Sequence, residues 1–125
     1  MKYRITQHHS SECPHPLILK QGTIVKAGDL YNGENEERVN WRFCTSIESN
    51  LSGWVPDQII AITDQHGMIL QDYDATELDC YKESIIEGIQ EINGWVWCRD
   101  LTNNKKGWVP KNKLEKIDLK RLEII

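Results

Sequence analysis

The chain has 125 residues, of which 39% are hydrophobic and 27% are charged, a balance that excludes an intrinsically disordered protein. Fifteen Lys and Arg against 19 Asp and Glu give a net charge of −4. This charge disfavours a nucleic-acid partner, because nucleic acids select basic surfaces. No apolar run approaches the roughly 20 residues of a membrane-spanning helix, and residues 1–16 lack the apolar core of a secretory signal. We therefore expect a cytoplasmic protein without a membrane partner.

The predicted elements, taken along the chain, are short β-strands and turns. Runs rich in β-branched and aromatic residues lie at 23–26, 95–98 and 107–109, and Gly, Asn or Asp bounds them. The polar stretches 49–53 and 103–107 are typical of turns that join two strands in a hairpin. The pattern predicts an all-β fold.

An internal repeat organises the aromatic residues, which include five Trp but only one Phe. The tetrapeptide Gly-Trp-Val-Pro occurs at residues 53–56 and again at 107–110, 54 positions later. Several positions that share one offset indicate a duplicated unit of about 60 residues. The other pairs with this offset are Trp41 with Trp95, Phe43 with Trp97, and Cys44 with Cys98.

The repeat predicts two domains. The first spans residues 1–63, with a diverged start and an extended polar loop at 29–39, and the second spans residues 67–118. Residues 119–125 are a C-terminal extension, and the stretch 118–125 fits either a short helix or a closing strand. Since the linker between the domains is short, we expect them to pack together.

Three ordered motifs of the second copy point to a known family. They are Ile-Leu-Gln-Asp-Tyr-Asp-Ala at 69–75, Trp95 after a polar loop, and Gly-Trp-Val-Pro-Lys-Asn at 107–112. In this order they resemble the Src homology-3 (SH3) domain, and the first copy matches from Leu17 onward. The resemblance implies two small SH3-like β-barrels in tandem, similar to a bacterial variant of the fold.

The SH3 family binds extended, proline-rich peptides in a groove between two loops, on aromatic side chains. The resemblance therefore implies aromatic or proline walls in each copy, and acidic residues that pair with a basic ligand residue. The walls are Tyr73, Trp95, Trp108 and Pro110 in the second copy, and Trp41, Trp54 and Pro56 in the first. The acidic residues are Glu77 and Asp79. We predict a non-catalytic monomer that binds a protein or an extended peptide, either basic or proline-containing.

Four positions depart from the family's pattern. Gln71 and Lys113 stand where the second copy would carry groove tyrosines, and His8 and Ile59 stand at such positions in the first. The usual proline pockets thus lose part of their walls. The ligand is therefore not restricted to a standard proline-rich peptide.

Strand alternation divides the side chains of the second Trp-rich strand between two faces. Trp95 and Trp97 fall on one face, and Val96 and Cys98 on the other. In the SH3 family the position of Cys98, and of its repeat equivalent Cys44, is a small core residue. We therefore expect both to be buried, unreactive thiols.

The N-terminal segment supports an alternative hypothesis. His8, His9, Cys13 and His15 lie within eight residues, and these side chains are types that bind zinc. Their spacing matches no standard zinc finger. A metal-binding or metal-responsive protein is therefore the alternative prediction, with zinc as its cofactor; otherwise we expect none.

Other function classes find less support in the sequence. It contains no nucleophile elbow, no phosphate-binding glycine loop and no HExxH motif, so we do not expect an enzyme. Cell-wall binding, known for bacterial relatives of the fold, is disfavoured by the missing secretory signal. A nucleic-acid-binding barrel is disfavoured by the acidic balance.

Overall fold

The computed structural model describes residues 1–11, 15–33 and 39–117. These residues form twelve strands and two single-turn 3₁₀ helices, which confirms the predicted all-β fold. The strands are β1 (Lys2–Ile5), β2 (Ile18–Leu19), β3 (Ile24–Leu30), β4 (Trp41–Ser46), β5 (Ser52–Pro56), β6 (Ile60–Thr63), β7 (His66–Ile69), β8 (Tyr73–Asp74), β9 (Ile85–Ile92), β10 (Trp95–Asp100), β11 (Lys106–Pro110) and β12 (Leu114–Lys116). The 3₁₀ helices are Asp57–Ile59 and Lys111–Lys113.

Part of the sequence-based prediction lies outside the described residues. This applies to Cys13, to part of the loop 29–39, and to the helix or strand proposed for 118–125. No helix in the described part of the chain is long and apolar enough to cross a membrane.

Two five-stranded antiparallel sheets have the same strand order. The first sheet runs β5-β4-β3-β7-β6, and the second runs β11-β10-β9-β1-β12. Each sheet contains a three-stranded meander, then a strand from elsewhere in the chain, then the strand that follows a 3₁₀ helix. The short strands β2 and β8 pair with each other between the two sheets.

The fourth strand of each sheet comes from the other side of the predicted domain boundary. In β1, Tyr3 lies opposite Ile86 of β9 and Lys116 of β12, so the N-terminal strand completes the second sheet. The strand β7 pairs with β3 and β6 in the first sheet. The division at residues 63–67 therefore separates the sequence repeats but does not coincide with sheet membership. The chain crosses between the sheets once after β1 and once after β7.

The two sheets are open, which corrects the prediction of closed barrels. In both, the hydrogen-bonded order is linear and leaves a strand at each end. The β11 edge is covered by a crossing segment instead of a sixth strand: the Trp108 amide donates to the Thr76 carbonyl (2.9 Å), and the Leu78 amide donates to the Trp108 carbonyl (3.1 Å). This pairing occupies polar groups that an exposed edge would offer to other chains.

Two hydrophobic cores lie on opposite faces of β10. Trp95 belongs to the first core and Trp97 packs against it, whereas Val96 and Cys98 belong to the second. This confirms the predicted alternation along the strand. The first core also contains residues of the first sheet, such as Trp41, so it joins the two sheets.

Asn and Gly form the tight turns between the strands. Asn93 and Gly94 connect β9 to β10 with φ values of 48° and 82°. Two consecutive positive φ angles match the right-handed twist of a two-residue hairpin, and Asn-Gly is the pair that adopts them most readily. This turn also places Trp95 at the start of its strand.

Candidate functional site

The tryptophans predicted to wall two separate grooves pack against one another. Trp41 and Trp95, each the first residue of its strand, are both 2% exposed, and their ring centroids lie 6.3 Å apart at an interplanar angle of 72°. Trp108 lies 6.4 Å from Trp41 at 82°. Edge-to-face contacts of this kind are favourable for aromatic rings. The faces that would hold a ligand in each repeat alone are therefore largely covered by the other repeat.

A groove between the two sheets remains open. It has a volume of about 310 Å³, and we call it the composite groove because both repeats line it. Its lining from the first repeat comes from the residues preceding β3 and around the first 3₁₀ helix: Ile18, Leu19, Lys20, Pro56 and Ile59. The crossing segment contributes residues 71–74. The second sheet contributes Gln90, Ile92, Trp97 and Trp108.

The crossing of the chain after β7 places Tyr73 in this groove beside Pro56 of the other repeat. The Tyr73 hydroxyl donates to the Trp54 carbonyl at 3.0 Å, and Trp108 Nε1 donates to the Asp74 carbonyl at 2.7 Å. These hydrogen bonds fix the orientation of two aromatic walls. Such preorganisation lowers the entropy lost when a ligand binds.

Acidic side chains lie at the rim of the composite groove. Asp72 accepts the Gln21 amide at 2.8 Å, and its other carboxylate oxygen lies 3.8 Å from the Lys20 ammonium. Asp74 accepts hydrogen bonds from the amide and the hydroxyl of Thr76. Two carboxylates beside an aromatic wall suit a ligand that carries a basic residue.

The predicted acidic pair contacts the N-terminal segment of the same chain. Glu77 Oε1 lies 2.9 Å from His9 Nε2, and the Asp79 carboxylate accepts the Ser11 amide at 2.6 Å. Neither Glu77 nor Asp79 lines the composite groove, and neither does Pro110, which pairs with Trp95 in the second sheet.

His9 bridges Glu77 and Lys113 in a nearly buried position. Its Nδ1 lies 3.1 Å from the Lys113 ammonium, which can only donate, so Nδ1 accepts. Nε2 therefore carries the ring hydrogen and donates to Glu77. Both ring nitrogens of His9 are thus engaged by side chains of the second repeat.

The metal hypothesis draws no support from the described residues. Among residues 1–11, 15–33 and 39–117, no three His, Cys, Asp or Glu side chains are grouped so that they could hold a metal ion. His8 instead contacts the Ser10 hydroxyl at 2.6 Å. Because Cys13 lies outside these ranges, the complete four-residue set stays a prediction.

Burial of Cys44 and Cys98 is confirmed, and Cys80 is buried as well. Desolvation raises the pKa of the Cys98 thiol to about 12 and those of the Cys44 and Cys80 thiols to about 11. These three thiols are therefore protonated at neutral pH, and the thiolate is the nucleophilic form.

Trp97 is the main groove residue that the sequence did not assign. It is half-buried and its ring lies 5.3 Å from that of Trp108. Its repeat equivalent Phe43 is 42% exposed and does not line the groove. Strand alternation places Trp97 on the same face as Trp95 and therefore indicates that it could reach the groove. The repeat does not show that Trp97 lines the groove whereas its equivalent Phe43 does not.

Comparison with known proteins adds family information. Residues 2–63 match the family model described as the variant SH3 domain. The chain contains an SH3-like domain. Such a domain indicates a protein-binding module in general. No curated protein and no solved structure matches the chain significantly.

Proposed function

We propose that the protein is a non-catalytic module that binds an extended peptide segment of another protein in the composite groove. The observation that carries this proposal is the open groove lined by Tyr73 and Trp108, two aromatic side chains whose orientations are fixed by hydrogen bonds. The SH3-like domain supports the same class of function. Tandem SH3-like units, one built on each sheet, are part of the proposal.

The lining of the groove supports an extended, apolar ligand. It includes Trp97 of the second sheet and Pro56 and Ile59 from the region of the first 3₁₀ helix. A stiff polyproline II segment loses little conformational entropy on binding, and its rings pack well on flat aromatic walls. Asp72 and Asp74 favour a basic residue next to the apolar part of the ligand.

The test is a titration of the full chain with a proline-containing peptide that carries flanking Lys or Arg, followed by NMR of the indole N–H signals. Trp97 and Trp108 signals are expected to shift. The variant Trp97→Ala should weaken binding at least about tenfold, as expected for an aromatic residue that dominates a binding surface.

Phe43→Ala is the matched control, because Phe43 occupies the equivalent strand position outside the groove. It should leave the affinity unchanged. Equal losses in both variants, or no movement of the Trp97 and Trp108 signals with the basic peptide, would contradict the assignment of the groove. A peptide with Glu in place of the basic residues should bind more weakly.

A further inference from the structure

A second, smaller cavity lies between the sheets. It has a volume of about 70 Å³, and we call it the aromatic cage after the residues that the argument uses: Trp41, Trp54, Tyr73, Trp95, Trp108 and Glu77. Its rim includes half-exposed residues such as Ser52 and Ala75, so it is open on one side. Tyr73 and Trp108 also border the composite groove, but the remaining cage residues do not.

The rings of the cage meet at steep angles. Trp41 makes interplanar angles of 72° with Trp95, 82° with Trp108 and 54° with Tyr73. This edge-to-face packing fixes the positions of the rings, and the cavity lies against them.

The polar atoms of three cage rings are satisfied by backbone carbonyls. Trp41 Nε1 donates to Asn93, Trp108 Nε1 donates to Asp74, and the Tyr73 hydroxyl donates to Trp54. These rings therefore offer mainly carbon surface and π-electrons to the cavity. The same hydrogen bonds hold the rings in place before any ligand arrives.

Glu77 gives the cavity its charge. Its side chain is only 13% exposed, and its Oε1 lies 2.9 Å from His9 Nε2, while Lys113 donates to the other ring nitrogen of His9. The contact with His9 holds the carboxylate in place at the cavity. A negative group beside several aromatic rings, largely shielded from water, attracts a cation through both charge and ring quadrupoles.

We infer that the aromatic cage binds a methylated ammonium group. A primary ammonium carries three donors that need acceptors, whereas a trimethylammonium needs none and presents methyl groups to the rings. At about 30 Å³ per water, the cavity of about 70 Å³ holds about two waters, so the methyl groups of a trimethylammonium head group would enter it from the open side. The chemistry fits either a trimethylated lysine side chain or a free quaternary amine.

The first experiment titrates the full chain with choline and with its neutral isostere 3,3-dimethylbutanol, and follows the tryptophan fluorescence and indole NMR signals. Choline is expected to bind at least about tenfold more tightly, since only the charged compound gains the cation–π attraction. Equal binding of the two compounds, or no binding of choline, overturns the inference.

Two variants locate the site. Trp54→Ala removes one wall but keeps the backbone carbonyl that accepts from Tyr73, and it should weaken choline binding about tenfold. Phe43→Ala is the control, because Phe43 packs on Trp54 at a centroid distance of 5.1 Å without lining the cage. It should retain the affinity, and equal losses in the two variants would overturn the placement.

Glu77→Gln keeps the shape of the side chain and an acceptor for His9 while removing the charge. It should weaken choline binding and leave the weak binding of dimethylbutanol unchanged. An unchanged choline affinity would overturn the role assigned to the carboxylate, even if Trp54→Ala proved poorly folded.

A trimethyllysine peptide distinguishes the two sources of the ligand. Binding tighter than that of choline assigns the cage to a modified protein, and equal binding assigns it to a free quaternary amine. The unmethylated peptide should bind more weakly in either case, and its equal binding contradicts the inference. If the aromatic cage does not bind choline, the proposed peptide binding in the composite groove still stands, since that groove is tested with an unmethylated peptide and Trp97→Ala.

Discussion

Tyr73 and His9 follow the fourth strands of the two sheets at the same distance along the chain but have different surroundings. Ile69 and Ile5 end the fourth strand of the first and second sheet, respectively, and Tyr73 and His9 each follow by four residues. Tyr73 packs on Trp108 and donates one hydrogen bond to a backbone carbonyl. His9 packs edge-on against Trp95 and is held between two charged side chains.

The two 3₁₀ helices show the same difference. Ile59 ends the first and is buried in the first core, whereas Lys113 ends the second and contacts His9. The contacts at this end of the first sheet are thus apolar and aromatic. The equivalent place in the second sheet holds a charged network of His9, Glu77 and Lys113. Two sheets with the same strand order can accept either kind of contact, provided that every buried polar group has a partner.

The largest expected effect is a loss of unfolding free energy, and it tests which sheet β1 and β7 each belong to. Ile5 and Ile69 are both fully buried, Ile5 in the second core and Ile69 in the first. Either Ile→Ala variant should lose about 2–5 kcal/mol of unfolding free energy, because each leaves a cavity in a close-packed core. Denaturant titration measures the loss.

Hydrogen exchange then separates the two variants. Ile5→Ala should speed exchange mainly in β9 and β12, the neighbours of β1, and Ile69→Ala should do so mainly in β3 and β6. The opposite distribution would show that β1 belongs to the sheet of the first repeat and β7 to the sheet of the second.

An intermediate effect tests the charged network against its apolar counterpart. His9→Ala removes the bridge between Glu77 and Lys113 and should cost about 1–3 kcal/mol, since nearly buried polar groups lose partners. Tyr73→Phe removes one hydrogen bond and should cost about 1 kcal/mol. Thermal or denaturant unfolding gives both values, and a larger loss for Tyr73→Phe would refute the comparison.

The smallest effect is expected on the outer faces of the sheets. Arg4 pairs with Glu83 and Glu115, whereas the matching position of the first sheet holds the exposed Met68. Arg4→Met should change stability less than Tyr73→Phe, because exposed ion pairs contribute little and salt screens them. Comparison of unfolding midpoints at low and high salt provides the check, and a large, salt-dependent loss would contradict it.

Local features of the fold were predictable from the sequence because they depend on nearby residues. The all-β character follows from short aromatic and β-branched runs, and the Asn93–Gly94 turn follows from the two residues that best tolerate positive φ. The placement of Val96 and Cys98 on the face opposite Trp95 and Trp97 follows from alternation within one strand. Each of these depends on contacts a few positions apart.

The site was less predictable, because it combines residues from both repeats. Tyr73 was assigned to a groove with Pro110, but the structure places it with Pro56. The sequence assigns Glu77 to a ligand but gives no sign of its partner within the chain, His9. In each instance the partner is set by where the chain crosses between sheets, which no local pattern encodes.

The sequence by itself determined which residues recur at an offset of 54, which runs form strands, and which aromatic positions correspond. Only the tertiary structure decided that β1 completes the second sheet and β7 the first. The physical reason is that Ile5 and Ile69 are both apolar residues at matching strand positions, so either would fill the same place in a core. Long-range strand pairing selects between the two arrangements, and that selection places Tyr73 and Trp108 together between the sheets.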